Sequence, residues 1–407
     1  MDRRFFIGAL GGTIAAPVLP GLGFAAERAS LTAGLPEGDY EMAVMEALPG
    51  KRPLIKLTNR PPNYETPASF FADPITPNDA FFVRYHLANI PPRIDQAQWK
   101  LEVGGEGVNT PLQLSFADLQ RGYEQVEITA VCQCSGNRRG LSTPHVPGVQ
   151  WSVGAMGNAT WRGPRLKDVL GKAGLKGGVV EIVVDGADGA VIMGTPDFVK
   201  SLPLSKAIDD NTIIALQMNG QPLPHFNGFP ARLVVPGWTA TYWMKHLTSI
   251  QAVTKPYDGF WMKGAYRLPT GMFPRMESFA SQENAMNTPI TEMVVNSLIT
   301  SPAEGGQVRR GDMVNVAGIA WDGGYGISAV AVSVDGGMNW QNATLGRDMG
   351  RFSFRPWTYR FGANAAGTQT ILSRATNSRG ETQVDKLVFN PAGYQNNVVR
   401  PTSIVVA

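Results

Sequence analysis

The 407-residue sequence holds only two cysteines and four histidines. Two cysteines cannot build the disulfide framework on which small secreted domains depend. They are Cys132 and Cys134, and a bridge across the single residue between them would be strained. Charge is sparse too: 17% of residues are charged, the net charge is +3 and no basic run occurs, so nucleic acid is not a favoured partner. No Cys-x-x-Cys-His sequence is present, so no haem is expected in this chain. No Gly-x-Gly-x-x-Gly follows a strand pattern, which argues against a nicotinamide or flavin partner. Beyond the N-terminal stretch no apolar run reaches the ~20 residues of a spanning helix, so no membrane span is expected.

What the chain has is glycine (46) and proline (30), which favour short strands and turns over long helices. Hydrophobic residues make up 43%, enough to bury a core, and the length exceeds what one core usually serves, so two domains are expected. The start, Met1-Asp-Arg3-Arg4-Phe-Phe-Ile7, runs into a weakly apolar Gly/Ala stretch and then Gly23-Phe-Ala25-Ala26. Residues 1–25 therefore resemble a twin-arginine export signal, which predicts a periplasmic protein. That route carries proteins already folded, often with a cofactor inserted. In an oxidising compartment two unbridged thiols need another reason to persist, either metal ligation or burial as small hydrophobes.

Residues 26–74 read as a Pro-rich N-terminal arm with one helical-looking piece at Tyr40–Leu48. Residues 75–290 read as an α+β core, with strands predicted at Trp99–Val103, Val126–Val131, Val179–Val184 and Ala231–Val235 and helices at Leu166–Ala173 and Pro203–Ala207. From 291 to 390 the texture changes to short alternating strands at Met313–Ala317, Ala329–Val334, Trp357–Phe361 and Thr370–Ala375. Val330, Val332 and Val334 mark one buried face before an Asp335-Gly-Gly337 turn, and Trp340 begins the return strand. Such spacing predicts an immunoglobulin-like sandwich. The remainder, 391–407, is too short for a domain.

The most informative segment is Glu127-Ile-Thr-Ala-Val-Cys132-Gln-Cys134-Ser-Gly-Asn137-Arg138-Arg139-Gly140. A strand pattern runs into a turn that presents a thiol, an amide and two guanidiniums. A thiolate beside fixed positive charge is a competent soft-metal ligand. On the residues alone a catalytic cysteine, an anion-binding turn or a core cysteine at a strand end remain open.

Cys134-Ser-Gly-Asn-Arg-Arg139 resembles the cysteine loop of the sulfite oxidase family, and other segments agree in order. They are Phe81-Phe-Val-Arg84-Tyr-His86-Leu87, Met218-Asn-Gly-Gln-Pro-Leu-Pro-His225-Phe-Asn-Gly-Phe-Pro-Ala-Arg232, Gly318-Ile-Ala-Trp-Asp-Gly-Gly324 and Val332-Ser-Val-Asp-Gly-Gly-Met-Asn-Trp340. The resemblance implies a sulfite-oxidase-like α+β molybdopterin core followed by an immunoglobulin-like dimerisation domain. It implies Cys134 as the molybdenum ligand. His86, Asn137, Asp188, Asn227, Arg232 and Lys245 would bind the molybdopterin. Arg84, Arg139, Tyr266 and Trp151 would form the pocket for a small oxyanion. Guanidiniums give the planar paired donors such an anion needs.

Two departures from the animal pattern are visible. Asn227 stands where a histidine precedes Gly-Phe-Pro, and Gly323-Gly-Tyr325-Gly326 carries no third pocket arginine, for which Arg374 or Lys263 could substitute. The implied reaction is oxidation of sulfite to sulfate, with electrons leaving to a c-type cytochrome and the chain forming a homodimer or a heterodimer with that cytochrome. The alternatives are a sulfane dehydrogenase component of thiosulfate oxidation and, in another class, a secreted binding module.

Overall fold

The computed structural model describes residues 44–277 and 279–407. The export-signal reading of residues 1–25 and the first part of the helical reading at Tyr40–Leu48 lie outside them. Where that helical pattern continues, the chain is instead a strand: Val44–Glu46 pairs antiparallel with Leu54–Thr58. Tertiary pairing overrides a short local period. Glu46 accepts from Tyr64 Oη at 2.6 Å and from Lys56 Nζ at 2.7 Å, which ties the strand down. Asn63–Glu65 and Val83–Arg84 complete a four-stranded sheet, and Asn63 pairs with Arg84. Leu54, Tyr64, Val83 and Tyr85 form a small core of their own beneath it.

Two further sheets build the central region. Lys200–Pro203, Glu181–Gly186, Leu247–Val253, Lys100–Gly104 and Leu112–Ser115 lie side by side in that order, antiparallel except where Leu247–Val253 runs parallel to Lys100–Gly104. The second sheet is dominated by the hairpin of Val126–Gln133 and Met156–Gly163, paired over all eight residues from Val126↔Gly163 to Gln133↔Met156. The last four residues of its first strand are buried, so the hairpin carries the cysteine segment into the main core. Helices are short: Leu166–Ala173 buries Leu166, Val169, Leu170 and Ala173, the i, i+3, i+4, i+7 stripe of an amphipathic helix.

From Asn296 onward two sheets face each other. One is Asn296–Ser301, Met313–Trp321, Arg355–Gly362 and Thr344–Leu345; the other is Gly306–Val308, Pro401–Val406, Gly367–Asn377, Ile327–Ser333 and Gln341–Asn342. Val316, Val330, Val332, Trp357 and Ile371 fill the space between them. The end of the chain is therefore not a free tail, because Pro401–Val406 pairs antiparallel with Gly367–Asn377 and parallel with Gly306–Val308. Sheet hydrogen bonds claimed a segment whose alternation was too short to stand out alone.

A separate cluster joins the sandwich to the cysteine hairpin. Phe71, Val131, Met156, Leu298, Trp321 and Phe354 pack together, and Trp321 Nε1 donates to Gln133 Oε1 at 2.7 Å. Within the sandwich Gly318 allows this closeness: a Cβ there would lie 2.3 Å from Trp357 Cζ2 and 2.4 Å from the Leu298 carbonyl oxygen. Gly318→Ala is expected to destabilise the protein by about 1–3 kcal/mol through overpacking. A denaturant melt reads this, and an unchanged midpoint would contradict the packing.

Candidate active site at the cysteine loop

Strand Val126–Gln133 delivers Cys132 and, just past its end, Cys134 to the same side, because alternate residues of an extended chain share a face. Both thiols line one cavity enclosing about 630 Å³ of empty space. Beyond Cys134 the chain turns tightly: Asn137 N donates to Cys134 O at 3.0 Å and Arg139 N to Gly136 O at 2.9 Å. Arg138 takes a left-handed conformation, φ 68°. The loop is pinned to the segment opposite by Cys134 N to Ala155 O, Arg138 N to Ser152 O and Gly140 N to Trp151 O, at 2.8–2.9 Å. Behind that segment the arm contributes Glu65, which accepts from Ser152 N at 2.8 Å and from its hydroxyl. Burial raises the Glu65 carboxyl to about 7.

Of the residues expected from the sequence, Arg84, His86, Cys134, Asp188, Asn227, Arg232, Lys245 and Tyr266 all line this cavity. Three others do not. Asn137 is buried in the turn, where its Oδ1 accepts from Ala155 N at 3.1 Å. Trp151 is fully buried in the main core. Arg139 is packed among Gly136, Gly148 and Gly393, each of which would put a Cβ within 3 Å of its side chain. Its Nε donates to Ala392 O at 2.7 Å and its Nη1 to Val149 O at 3.0 Å, so it binds the chain's own backbone behind the pocket. Neither proposed substitute for a third arginine reaches the site. Arg374 is paired with Asp385 and lies over Trp340 in the sandwich, and Lys263 is exposed.

The cavity walls are cationic. Arg232 is buried, donates to Asn227 O at 3.0 Å and Trp243 O at 3.1 Å, and lies over the rings of Trp161 and Trp243. Its Nη2 is also 3.8 Å from Cys132 Sγ. Burial pushes that thiol up to about 11 even so, which leaves Cys132 protonated. Lys245 donates to Arg84 O at 2.6 Å and sits over the Tyr85 ring. Burial lowers the Lys245 ammonium and raises the Asp188 carboxyl, and the charge of each works against the other's shift. Asn227 is held by Lys51 Nζ, which it accepts from, and by donation to Phe82 O at 3.0 Å.

At the other end Tyr266 Oη and His86 Nε2 share a hydrogen bond, with Tyr266 in a left-handed conformation, φ 57°. His86 stacks on Phe198 with ring centres 3.7 Å apart. Burial, reinforced by Arg84 and Lys245, holds the imidazole well below its usual range, so it is neutral. Burial likewise raises the Tyr266 phenol, opposed by the Arg84 guanidinium. On its outer side the Tyr266 ring stacks on Tyr394 at 5.4 Å and 13°, and Arg139 lies 5.4 Å over Tyr394. Tyr394 was missed in the sequence because it falls in the supposed tail. Lys200, Phe198 and Lys51 were missed because only the fold brings them here.

Among the described residues no three or more His, Cys, Asp or Glu side chains are placed to hold a bare metal ion. A metal held here would therefore have to bring most of its own ligands, and the thiols that face the cavity are those of Cys132 and Cys134. Of the residues that line the cavity, Ser135 Oγ and Arg232 Nε are buried without a hydrogen-bond partner. Unpaired buried donors, the three cations Arg84, Arg232 and Lys245 and the Asp188 carboxylate match a polar, anionic organic ligand carrying a soft metal, and molybdopterin has those properties.

Comparison with known proteins agrees. A family model for the oxidoreductase molybdopterin binding domain matches residues 87–261, and one for the Mo-co oxidoreductase dimerisation domain matches residues 287–404. Human mitochondrial sulfite oxidase is 32% identical over 375 residues, 88% of this chain and 67% of the human protein. Sulfite oxidase of Arabidopsis thaliana is 30% identical over 86% of this chain and 93% of its own length. Among solved structures, the sulfane dehydrogenase SoxCD from Paracoccus pantotrophus superposes with a TM-score of 0.72 at 24% identity, covering 96% of this chain and 94% of that one, a likeness of fold. The molybdopterin-binding core, the dimerisation domain and these relatives together show that the chain belongs to the sulfite oxidase family.

Proposed function

We propose that this protein oxidises sulfite to sulfate at a molybdenum-molybdopterin centre and passes the electrons to a c-type cytochrome in the periplasm. The observation that carries the reading is the convergence of Cys134 with Arg84, His86, Arg232, Lys245 and Tyr266 on one cavity. Sulfite and water give sulfate, two protons and two electrons, the electrons leaving singly to the cytochrome. The bound cofactor supplies the oxygen-transfer chemistry, with its metal on the Cys134 thiolate. Arg232 and Lys245 hold the anionic part of the pterin, and Asp188 accepts from its ring N–H groups.

The chain's own work at the substrate is orientation. Arg84 offers paired N–H donors to the oxyanion, and the Tyr266 hydroxyl, fixed by neutral His86, offers one more fixed polar group. Arg139 acts one layer out, by clamping the segment that carries Tyr394 against Tyr266. The sandwich is the proposed dimer contact, and the twin-arginine-like start is what supports the periplasmic assignment. Among the described residues no helix is long and apolar enough to cross a membrane.

One observation favours a second reading, oxidation of a protein-bound sulfane sulfur. His86 also lines a surface groove with Leu87, Ala190 and Ile192, beside an exposed loop in which Ile192 is 69% and Met193 100% exposed. An apolar rim next to a reactive pocket suits a macromolecular substrate. Steady-state assay with free sulfite and ferricytochrome c separates the two: turnover of free sulfite supports the first, and its absence in molybdenum-loaded protein rejects it.

Replacing Cys134 with Ser is expected to abolish that turnover while leaving a folded protein, and metal analysis should show molybdenum lost or weakly held. Full activity in Cys134→Ser would refute the assignment of the thiolate. Tyr394→Ala is expected to lower kcat/KM by roughly 10- to 100-fold through misplacement of Tyr266, and Tyr394→Phe, which keeps the stacked ring, to retain most of it. Equal kinetics in Tyr394→Ala and wild type would mean that the stack does not position the pocket.

A further inference from the structure

One buried cation beside the pocket has no part in the chemistry above. Lys200 opens strand Lys200–Pro203 at the edge of the five-stranded sheet, paired with Val184, and is 0% exposed. Its ammonium donates to the Trp261 carbonyl oxygen at 2.6 Å. It lies 4.8 Å over the ring of Tyr242 and 5.2 Å over the ring of Tyr266. Among the described residues no carboxylate pairs with it; burial holds its ammonium well below the ordinary lysine range, and Arg267, of the same sign, works in the same direction. A carbonyl and two aromatic faces hold a cation in place without neutralising it. The Tyr266 ring that it faces is part of the cavity wall, so the cation stands one ring away from the pocket.

We propose that Lys200 is a positioning and specificity-determining residue for the oxyanion, acting across the Tyr266 ring as a cation of the pocket that never touches the substrate. A positive charge over the face of a phenol draws electron density from its hydroxyl; with His86 as the tautomer that donates its Nε2–H to the Tyr266 oxygen, the hydroxyl proton is left for the oxyanion and Tyr266 becomes a stronger donor. The ring and its surroundings exclude water, so the field is little screened. The missing negative charge arrives with the substrate, and a neutral molecule of the same shape gains nothing from Lys200. This role rests on the sulfite reading for its substrate, yet it also governs the binding of any small oxyanion, which can be measured without turnover.

The test uses molybdenum-loaded protein, with sulfate binding followed by titration calorimetry and sulfite kinetics measured alongside. Lys200→Met removes the charge at similar volume, and Lys200→Arg keeps it. In Lys200→Met the sulfate Kd and the sulfite KM are expected to rise about tenfold, with a much smaller change in kcat, and Lys200→Arg to recover most of the loss. Unchanged sulfate affinity in folded Lys200→Met overturns the proposal, and so does an Arg variant as weak as the Met variant, because charge would then not be the agent. If Lys200→Met does not fold, Lys200→Gln, which keeps a donor for the Trp261 carbonyl, carries the same comparison. Loss of sulfate affinity in a protein whose wild type fails to oxidise sulfite would uphold Lys200 and reject the sulfite reading. Intact sulfite turnover with unaltered Kd and KM in the variant would do the reverse.

Discussion

Buried positive charge with too little negative charge to balance it is the constraint around which this structure is arranged. Arg232, Lys245 and Lys200 are all withdrawn from water, and among the described residues Asp188 is the one acid in the cavity wall. Removing an ion from water is costly unless something replaces its hydration. The replacements here are of two kinds, both neutral: backbone carbonyls of Asn227 and Trp243 for Arg232, of Arg84 for Lys245 and of Trp261 for Lys200, and the rings of Trp161, Trp243, Tyr85, Tyr242 and Tyr266 over the cations. Neutral acceptors offset the loss of water and leave the charge uncancelled. Carboxylates in the same places would hold the cations as well and leave no field for an anionic ligand.

Such a site needs rigid walls, because unbalanced cations repel one another and would spread into solvent if the backbone allowed it. Each described region contributes to the wall. The arm supplies strand Asn63–Glu65, which pairs with Arg84 through Asn63, and the Glu65 carboxyl behind the loop. The eight-residue hairpin fixes Cys134, and the sandwich seals its back through Trp321 and Arg138, whose Nη2 donates to Ser297 O at 2.7 Å. Between the last two strands of the sandwich the chain returns, so that Gln395 N donates to Ser135 O at 3.1 Å and Asn396 Nδ2 to Arg138 O at 3.1 Å. Arg138 and Arg139, neighbours in sequence, thus bind two different stretches of the C-terminal half. The left-handed turn at Arg138 sends them apart.

That turn also explains what was legible in the sequence and what was not. Cys134, Arg84, His86, Arg232 and Lys245 could be named because each sits in a short run of residues whose types carry the signal together. Arg139 belonged to the same run and was misplaced, since residue type does not reveal that three glycines and the carbonyls of Val149 and Ala392 enclose its side chain. The alternation of Val330 and Val332 was enough to find the sandwich, because a half-buried strand writes its geometry with period two. Pro401–Val406 has too few residues for that and gains its strand from partners about 30 and 100 positions away. Tyr394 and Lys200 act at the pocket only through long-range packing, which no local pattern encodes.

The same electrostatics couples the fold to its cofactor. In the cavity wall Arg232 Nε and the Ser135 hydroxyl are buried without a partner. Each unmet donor subtracts from a folded state whose margin over the unfolded chain is small. A ligand that meets those donors and brings negative charge binds the folded chain alone and stabilises it by mass action. The cations of the cavity thus make an anionic ligand a stabiliser of the fold as well as an occupant of the site.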